Sequence, residues 1–300
     1  METTTELNLF RALSPLHVGS GNAIGVVDLP IQRESHTNFP KVESSSLKGA
    51  IRAAIYQKEE NKDKFIKVFG NNPDDTELIQ TGAISVSEAR ILLFPVQSLK
   101  GVFTYVTSSF VLKRFLQEQK AYYQNIAVID FQVPEVKDNV LVSTKSLLTQ
   151  DQVVFEEYTF KAEVSDTVSD IAEQLDDLLN MDGFLMDRFA IIPDDEFSQF
   201  VQLSTDITTR IRIDSETGVV AEGALFYEEN VPAETVFYST FHYRDTRPSA
   251  SEKKITLSLD ADQVKQFVNS LLPDVIQIGG NQTIGRGMVR RTSVSKGERE

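Results

Sequence analysis

The sequence contains no cysteine and no long hydrophobic run. Without cysteine, the chain cannot form disulfides, bind zinc through thiolates or use a thiolate nucleophile. The apolar run at residues 91–96 is typical of its longest, far below the roughly 18 residues that span a bilayer. The first six residues, METTTE, lack the basic and apolar regions of a secretory signal. We therefore expect a soluble cytoplasmic protein with no membrane partner.

Basic residues are also scarce, since 30 Lys and Arg face 44 Asp and Glu for a net charge of −14. Most of the imbalance lies in residues 151–200, which hold 14 acidic and 2 basic side chains. Binding to a polyanion depends on the local field at a groove and not on total charge. The acidity therefore neither excludes nor supports a nucleic-acid partner, and the role of this acidic segment stays open.

The 300 residues are 41% hydrophobic, enough for a sizeable core in one elaborated domain or two small ones. Alternating and helical patterns follow one another along the chain, which predicts an α+β fold and not a doubly wound parallel sheet. Strands are predicted at residues 6–12, 236–243, 275–278 and 288–294 and within 130–160, and helices at 107–119, 167–179 and 260–272.

Two further segments have specific local signals. The Glu-Thr-Gly turn at residues 216–218 separates two strand-like segments, 210–214 and 224–228, which predicts a β-hairpin. Three consecutive serines at residues 44–46 offer an N-cap for a helix of about 15 residues that begins near Leu47.

The loop at residues 279–287 holds four glycines in nine residues. Glycine lets the backbone approach a ligand closely and point N–H groups at phosphates, so Gly279, Gly280, Asn281 and Arg286 are candidate phosphate contacts. Arg286 stands where a P-loop requires lysine, no Ser or Thr follows it, and no strand-to-helix context surrounds it, so we reject nucleotide hydrolysis. A glycine-rich hairpin without any ligand is the alternative.

The start of the serine-capped helix is a second candidate phosphate site. Its N–H groups and dipole favour an anion, with Ser45, Ser46, Lys48 and Arg52 as candidate contacts. The alternative is a capped surface helix with solvated charges.

Four side chains are candidates for catalysis. Asp28 follows a loop of small residues and could bind a hard cation such as magnesium or act as a general base on a ribose 2′-hydroxyl. His17 could donate a proton or contact phosphate. Glu228 and Glu229 could approach a scissile phosphate. The alternatives are turn chemistry for Asp28, a structural histidine, and solvated glutamates; the other two histidines have no metal-site spacing.

The order of motifs along the chain resembles the backbone proteins of the RAMP superfamily, specifically the Cmr subunit four branch found in type III-B CRISPR complexes. The resemblance spans nearly the whole chain, and the related backbone subunits of type III-A complexes are less similar. It rests on LSPLHVGSG (13–21), IGVVDLPIQRE (24–34), FPK (39–41), SSLKGAIR (45–52), FPVQSLKGVF (94–103), RIRID (210–214), GALFYEE (223–229) and GGNQTIGRG (279–287).

The resemblance implies one elaborated domain over residues 1–300, with an RRM-like, ferredoxin-like palm, inserted finger segments and a β-hairpin thumb at about 204–236. It implies that several copies and other Cmr subunits assemble on a guide CRISPR RNA and cut a single-stranded target RNA. The family's cleavage residue maps onto Asp28, with a divalent cation such as magnesium, and its guide-binding helix lysine maps onto Lys48. His17, Glu228 and Glu229 match positions that assist near the scissile bond.

Three functions remain open from the sequence. The chain is a backbone subunit that cuts RNA, a structural subunit that only holds RNA, or a repeat-processing endoribonuclease that acts alone. Guides vary in sequence, so guide contacts should go to phosphate and sugar. Backbone amides, the N-terminus of a helix and a few basic side chains can make such contacts with phosphate and sugar.

Overall fold

A computed structural model describes residues 3–59, 61–71, 80–122, 129–214, 216–220, 224–247 and 258–294. Its strands are β1 (Thr3–Ala12), β2 (Lys41–Val42), β3 (Ile84–Val86), β4 (Ala89–Gln97), β5 (Phe103–Ser108), β6 (Val140–Val142), β7 (Gln152–Phe155), β8 (Tyr158–Val164), β9 (Phe189–Ile192), β10 (Asp206–Arg210), β11 (Phe226–Asn230), β12 (Val236–Arg244), β13 (Val275–Gln277) and β14 (Met288–Val294). Its helices are α1 (Ser44–Tyr56), α2 (Lys62–Phe69), α3 (Ser109–Tyr122), α4 (Asp166–Leu179), α5 (Asp194–Leu203) and α6 (Ala261–Leu271).

Antiparallel strands form the palm, in the spatial order β14, β1 and β12. β3 and β4 both pair with β12 and together occupy the fourth position of this sheet. β1 pairs with β12 along nine consecutive residues, from Thr3 opposite Arg244 to Arg11 opposite Val236. In chain order these elements run β1, α1, β3–β4, β12, α6, β14, which is the βαββαβ order of a ferredoxin-like fold. The predicted α+β class with a ferredoxin-like palm is confirmed.

The sheet continues beyond the palm through β5, β9, β6, β8 and β7, and two of these pairings are parallel. The acidic amphipathic helix predicted at residues 167–179 is α4. It buries Val168, Ile171 and Leu175, while the acidic residues Asp166, Asp170, Glu173 and Asp177 are exposed. The segment with most of the excess negative charge therefore forms this extension and not the palm.

One hydrophobic cluster runs under the palm and its extension. Leu47, Ile51 and Ile55 recur at helical spacing along α1 and are fully buried. Within the described residues, no helix is both long and apolar enough to cross a membrane.

The predicted start of α1 is wrong by three residues. The helix begins at Ser44, and its N-cap is Glu43, whose side chain makes no capping hydrogen bond. β2 ends at residue 42, so the chain enters the helix directly from the strand. Gln32 accepts the Glu43 N–H at 2.8 Å, which places the turn at Glu43 instead of at the serines.

The predicted hairpin exists as a separate two-stranded sheet of β10 and β11. Its paired strands lie further from the turn than predicted, because the register runs from Asp206 opposite Asn230 to Arg210 opposite Phe226. Nearer the tip, Ile213 and Val220 form only an isolated bridge. Residues 215 and 221–223 of this predicted thumb lie outside the described residues.

Candidate functional site

The Asp28 loop is attached to the edge of β11. The Asp28 and Leu29 N–H groups both donate to the Tyr227 carbonyl, at 3.1 and 3.0 Å, and the Glu229 N–H donates to the Leu29 carbonyl at 3.0 Å. The Asp28 Oδ2 atom accepts the Tyr227 N–H at 2.8 Å. Oδ1 has no donor among the described residues, and the side chain is half-buried. The loop therefore holds Asp28 in place and leaves one carboxylate oxygen available to a ligand.

His17 is also hydrogen-bonded to β11. Its Nδ1 is 2.7 Å from the Glu229 carbonyl oxygen, which can only accept, so Nδ1 carries a proton. Nε2 is then an acceptor in the neutral ring and a donor in the charged ring. A Cβ at Gly19 would lie 2.8 Å from Nε2, so glycine at that position keeps the space beside this atom open.

The glycine-rich loop packs directly on the His17 backbone. The Gly280 N–H donates to the His17 carbonyl at 2.9 Å, and the Gly287 N–H donates to the Pro15 carbonyl at 2.9 Å. A Cβ at Gly279, where φ is +79°, would lie 2.2 Å from the His17 oxygen. Gly279 therefore has to be glycine for the loop to approach this closely.

The tip of the loop presents unpaired backbone amides. Asn281 has a left-handed conformation, with φ at 66°, and a short 3-10 turn from Gln282 to Ile284 follows it. The N–H groups of Asn281, Gln282 and Thr283 donate to no acceptor among the described residues. A left-handed residue followed by a right-handed one directs successive amides to one point, which is a known arrangement for binding anions. The loop tip can therefore hold a phosphate.

Glu228 joins this loop to the hairpin. Its buried carboxylate accepts from Arg210 at 3.2 Å, Asn281 at 2.9 Å and Arg286 at 3.4 Å. Arg286 also donates to the Thr208 hydroxyl at 3.1 Å. Burial would raise the pKa of Glu228, but the Asn281 hydrogen bond and the charges of His17 and Arg210 outweigh it and lower that pKa. Asn281 and Arg286, which the sequence predicted as ligand contacts of the glycine-rich loop, thus stabilise the junction between this loop and the hairpin.

Glu229, the next residue in β11, is held by other protein groups. Its buried carboxylate accepts from Arg33 at 2.5 Å, Thr205 at 2.9 Å and the Ile31 N–H at 3.1 Å. Three protein donors therefore bind its two oxygens. A role of Glu229 in catalysis stays a prediction, and its observed contacts hold the segment after Asp28 against β11.

The α1 residues lie in a protein environment. The Lys48 ammonium donates to the Ile84 carbonyl of β3 at 3.0 Å. Burial is the main reason that the pKa of Lys48 lies below its ordinary value, and the charge of Arg52 lowers it further. The Arg52 guanidinium lies 5.2 Å from the centroid of the Phe65 ring. The guide contacts of Lys48 and Arg52 stay predictions, and they would be made by groups that already have protein partners.

Ser45 is exposed, whereas the Ser46 hydroxyl accepts from the Gln32 side chain at 3.1 Å. The same Gln32 amide donates to the Gly19 carbonyl at 3.1 Å. Gln32 therefore connects the start of α1 to the loop after His17. Sequence reasoning did not single out Gln32, although it lies within the IGVVDLPIQRE motif.

The structure thus brings Asp28, His17 and Glu228 together around β11, with Asn281 and Arg286 beside Glu228. Arg210, which binds both Glu228 and the Asn281 side chain, was also not predicted as a site residue. The sequence feature that could have pointed to Arg210 is its place in the RIRID motif.

The candidate metal site consists of Asp28 alone. Within the described residues, no group of three or more His, Asp or Glu side chains could hold a metal ion. Magnesium in proteins is commonly held by one or two carboxylates together with substrate phosphates. A single carboxylate with one free oxygen fits that mode and does not fit a cage built from protein ligands alone.

Comparison with known proteins gives concordant results. The RAMP superfamily model matches residues 9–290. The CRISPR system Cmr endoribonuclease Cmr4 of Pyrococcus furiosus is 38% identical over 285 residues, which cover 93% of this chain and 92% of the relative. The CMR subunit Cmr4 of Saccharolobus solfataricus is 27% identical and is matched over 93% of both chains.

Solved structures agree with the sequence relatives. Oligomeric Cmr4 from Pyrococcus furiosus superposes with a TM-score of 0.73 at 30% identity and covers 97% of both chains. A chain of a type III-B Cmr-beta complex bound to cognate target RNA superposes with a TM-score of 0.75 over 97% of both chains. At its 22% identity, this second likeness supports the fold alone.

Proposed function

The chain belongs to the RAMP superfamily, and from that premise we propose that it is a repeating backbone subunit of a type III-B CRISPR effector complex. It binds guide RNA along a row of identical subunits and cuts the paired target RNA at regular intervals. It is therefore an endoribonuclease of the assembled complex.

The arrangement around β11 supports this proposal more than any other observation. The Asp28 carboxylate is hydrogen-bonded to β11 and has one free oxygen. The His17 ring is hydrogen-bonded to the Glu229 carbonyl of the same strand. Beside His17 lies a loop whose amides can bind phosphate. A phosphate-binding loop and a reactive carboxylate held by one rigid strand are what cutting of a bound RNA requires.

Guide binding independent of base sequence follows from the same elements. Backbone amides of residues 281–283 and the start of α1 contact phosphate and sugar, which are identical in every guide. Arg210 and Arg286 are paired with Glu228, so we assign most of the phosphate contact to the amides. This also explains how an acidic chain binds RNA without a large basic patch.

For cleavage, we propose that the 2′-hydroxyl of a displaced target nucleotide attacks the adjacent phosphorus. A 2′-oxygen–phosphorus bond forms, the bond to the 5′-oxygen breaks, and the 2′-hydroxyl proton leaves while the 5′-oxygen gains one. The products are a 2′,3′-cyclic phosphate and a 5′-hydroxyl. Displacement is needed because a regular A-form duplex does not align these atoms.

Asp28 is the residue that we assign to the reaction. Its free oxygen orients the 2′-hydroxyl or holds a divalent cation, for which we propose magnesium. The cation would stabilise the charge that develops on the phosphate. His17 lies beside the site as a proton carrier, and Glu228 keeps the glycine-rich loop in position.

The proposed partners are guide CRISPR RNA, single-stranded target RNA, other copies of the chain and other Cmr subunits. The relatives support self-association and Cmr partners, since the Pyrococcus furiosus structure is called oligomeric and both sequence relatives are named as components of the CRISPR Cmr system. We place the complex in the cytoplasm.

Asp28→Asn tests the proposal in the reconstituted complex. The amide keeps the shape of the side chain but neither binds a cation well nor accepts a proton, so target cutting should fall about 100-fold or more. Guide binding and assembly, measured by size-exclusion chromatography with labelled RNA, should not change. Normal cutting by the variant would remove Asp28 from the mechanism and leave the structural-subunit alternative.

A further inference from the structure

A small cavity on the sheet extension lies outside the elements discussed so far. It has a volume of about 290 Å³ and lies between the β7–β8 turn and α5. Pockets for small organic ligands usually measure about 300 to 1,000 Å³, so this cavity has the size for a single side chain.

Aromatic rings form the apolar part of the cavity. Tyr158 and Phe160 each lie edge-on to Phe200, with ring centroids 6.2 Å apart in both pairs. Phe200 is buried, whereas Tyr158 remains 46% exposed. Leu203, which also lines the cavity, is 73% exposed at its rim. Such exposed apolar groups beside a preformed hollow are typical of surfaces that bind another molecule.

Carboxylates form the polar part of the cavity. Glu156, Glu157 and Glu196 line it, and none of the three forms an ion pair or side-chain hydrogen bond with any described residue. Aromatic faces attract cations, and nearby carboxylates add to that attraction. The lining is thus complementary to a positively charged group that has an aliphatic stem.

We propose that this acidic aromatic pocket, formed by Glu156, Glu157, Tyr158, Phe160, Glu196 and Phe200, is a docking site for a basic partner protein that inserts an arginine or lysine side chain. The stem of that side chain packs on the rings while its charge meets the carboxylates. This interaction is separate from RNA binding and cutting.

Charge favours a basic protein over the other occupants. Residues 151–200 carry a net charge of −12, which repels RNA. A second copy of the chain has the same excess of negative charge, so its charge does not attract it to this acidic segment at long range. A positively charged protein face is attracted by this segment before contact, and a single inserted side chain then fixes its position.

The test uses the full chain without RNA and the peptide acetyl-Leu-Arg-Leu-amide, with binding measured by calorimetry. The matched peptide contains citrulline, which has nearly the same shape as arginine but no charge. We expect the arginine peptide to bind and the citrulline peptide to bind at least about tenfold more weakly. Glu157→Gln/Glu196→Gln and, separately, Tyr158→Ser should each weaken arginine-peptide binding by a similar factor.

Asp170→Asn/Glu173→Gln is the control, because it removes the same charge from exposed positions on α4 away from the pocket. It should leave peptide binding unchanged. Equal loss in the control and pocket variants, or equal binding of both peptides, would reduce the effect to overall charge and overturn the proposal. If Glu157→Gln/Glu196→Gln abolished self-association in sedimentation velocity, the occupant would be a second copy and the proposal would also be wrong.

Discussion

Gly279 shows how closely a single residue can constrain the site. The loop and the His17 segment approach so closely that a Cβ would lie 2.2 Å from the His17 oxygen. Gly285, in the same loop, also has a positive φ, at +77°, but open space surrounds it. The two glycines thus differ in packing and not in the sign of φ.

Gly279→Ala should therefore be more harmful than Gly285→Ala. Both variants incur the cost of a left-handed conformation, about 1 kcal/mol, and only Gly279→Ala adds a backbone clash of about 1–3 kcal/mol. The free energy of unfolding from urea titrations measures the difference, and filter binding of guide RNA should follow the same order. Equal effects of the two substitutions would mean that the loop does not pack on His17 as described.

Single residues also show which parts of the site could be predicted from the sequence and which could not. Asp28, Asn281 and Arg286 were identified from their motifs, and the structure places them near one strand. The partners of Glu228 were not predictable, because Arg210 is 18 residues away and Asn281 and Arg286 are 53 and 58 residues away. Only the pairing of the hairpin and the position of the last loop bring them together.

At the scale of elements, a clear periodic pattern was sufficient to predict a helix or strand from the sequence, whereas a uniformly apolar strand was missed. β1 contains residues 6–12, where the alternation predicted a strand, and the predicted helix at 260–272 is α6 with Asp260 as its cap. By contrast, β4 is buried at most positions and shows no alternation, so the strands between residues 84 and 108 were not predicted. A strand covered on both faces has no period-2 pattern for sequence reasoning to detect.

The hairpin and the glycine-rich loop should be coupled through Glu228. Its pKa lies below the ordinary value of 4.5, so the folded state binds this proton less readily than the unfolded state does. The stability that Glu228 contributes is therefore full above about pH 4.5 and is lost as the pH falls through the lowered pKa.

Glu228→Gln should reduce the free energy of unfolding by about 2 kcal/mol at pH 7, because it loses charge-assisted hydrogen bonds from the hairpin and the loop. It should also lose less stability than the wild type between about pH 5 and pH 3. Thermal melts across this range measure both effects. Glu173→Gln, on an exposed position of α4, is the control and should follow the wild type. Identical acid profiles for Glu228→Gln and the wild type would show that this carboxylate does not couple the two elements.

At the scale of the whole molecule, charge and function occupy different regions. The palm and hairpin hold the candidate RNA site, while the segment of residues 151–200 places its net charge of −12 on the sheet extension. This separation explains how a chain with a net charge of −14 can serve a polyanion, since RNA interacts with the local field at its own groove. The acidic region is then free for a protein partner.

The central claim is that a row of these subunits cuts a bound RNA wherever Asp28 meets a displaced nucleotide. The most direct measurement reconstitutes the complex with guide RNA and partner subunits, adds an end-labelled matching target, and maps the cut positions with and without magnesium. We predict evenly spaced cuts that require the cation. Cuts at irregular positions, or a single cut in the repeat region of the guide precursor with the target left intact, would contradict the claim.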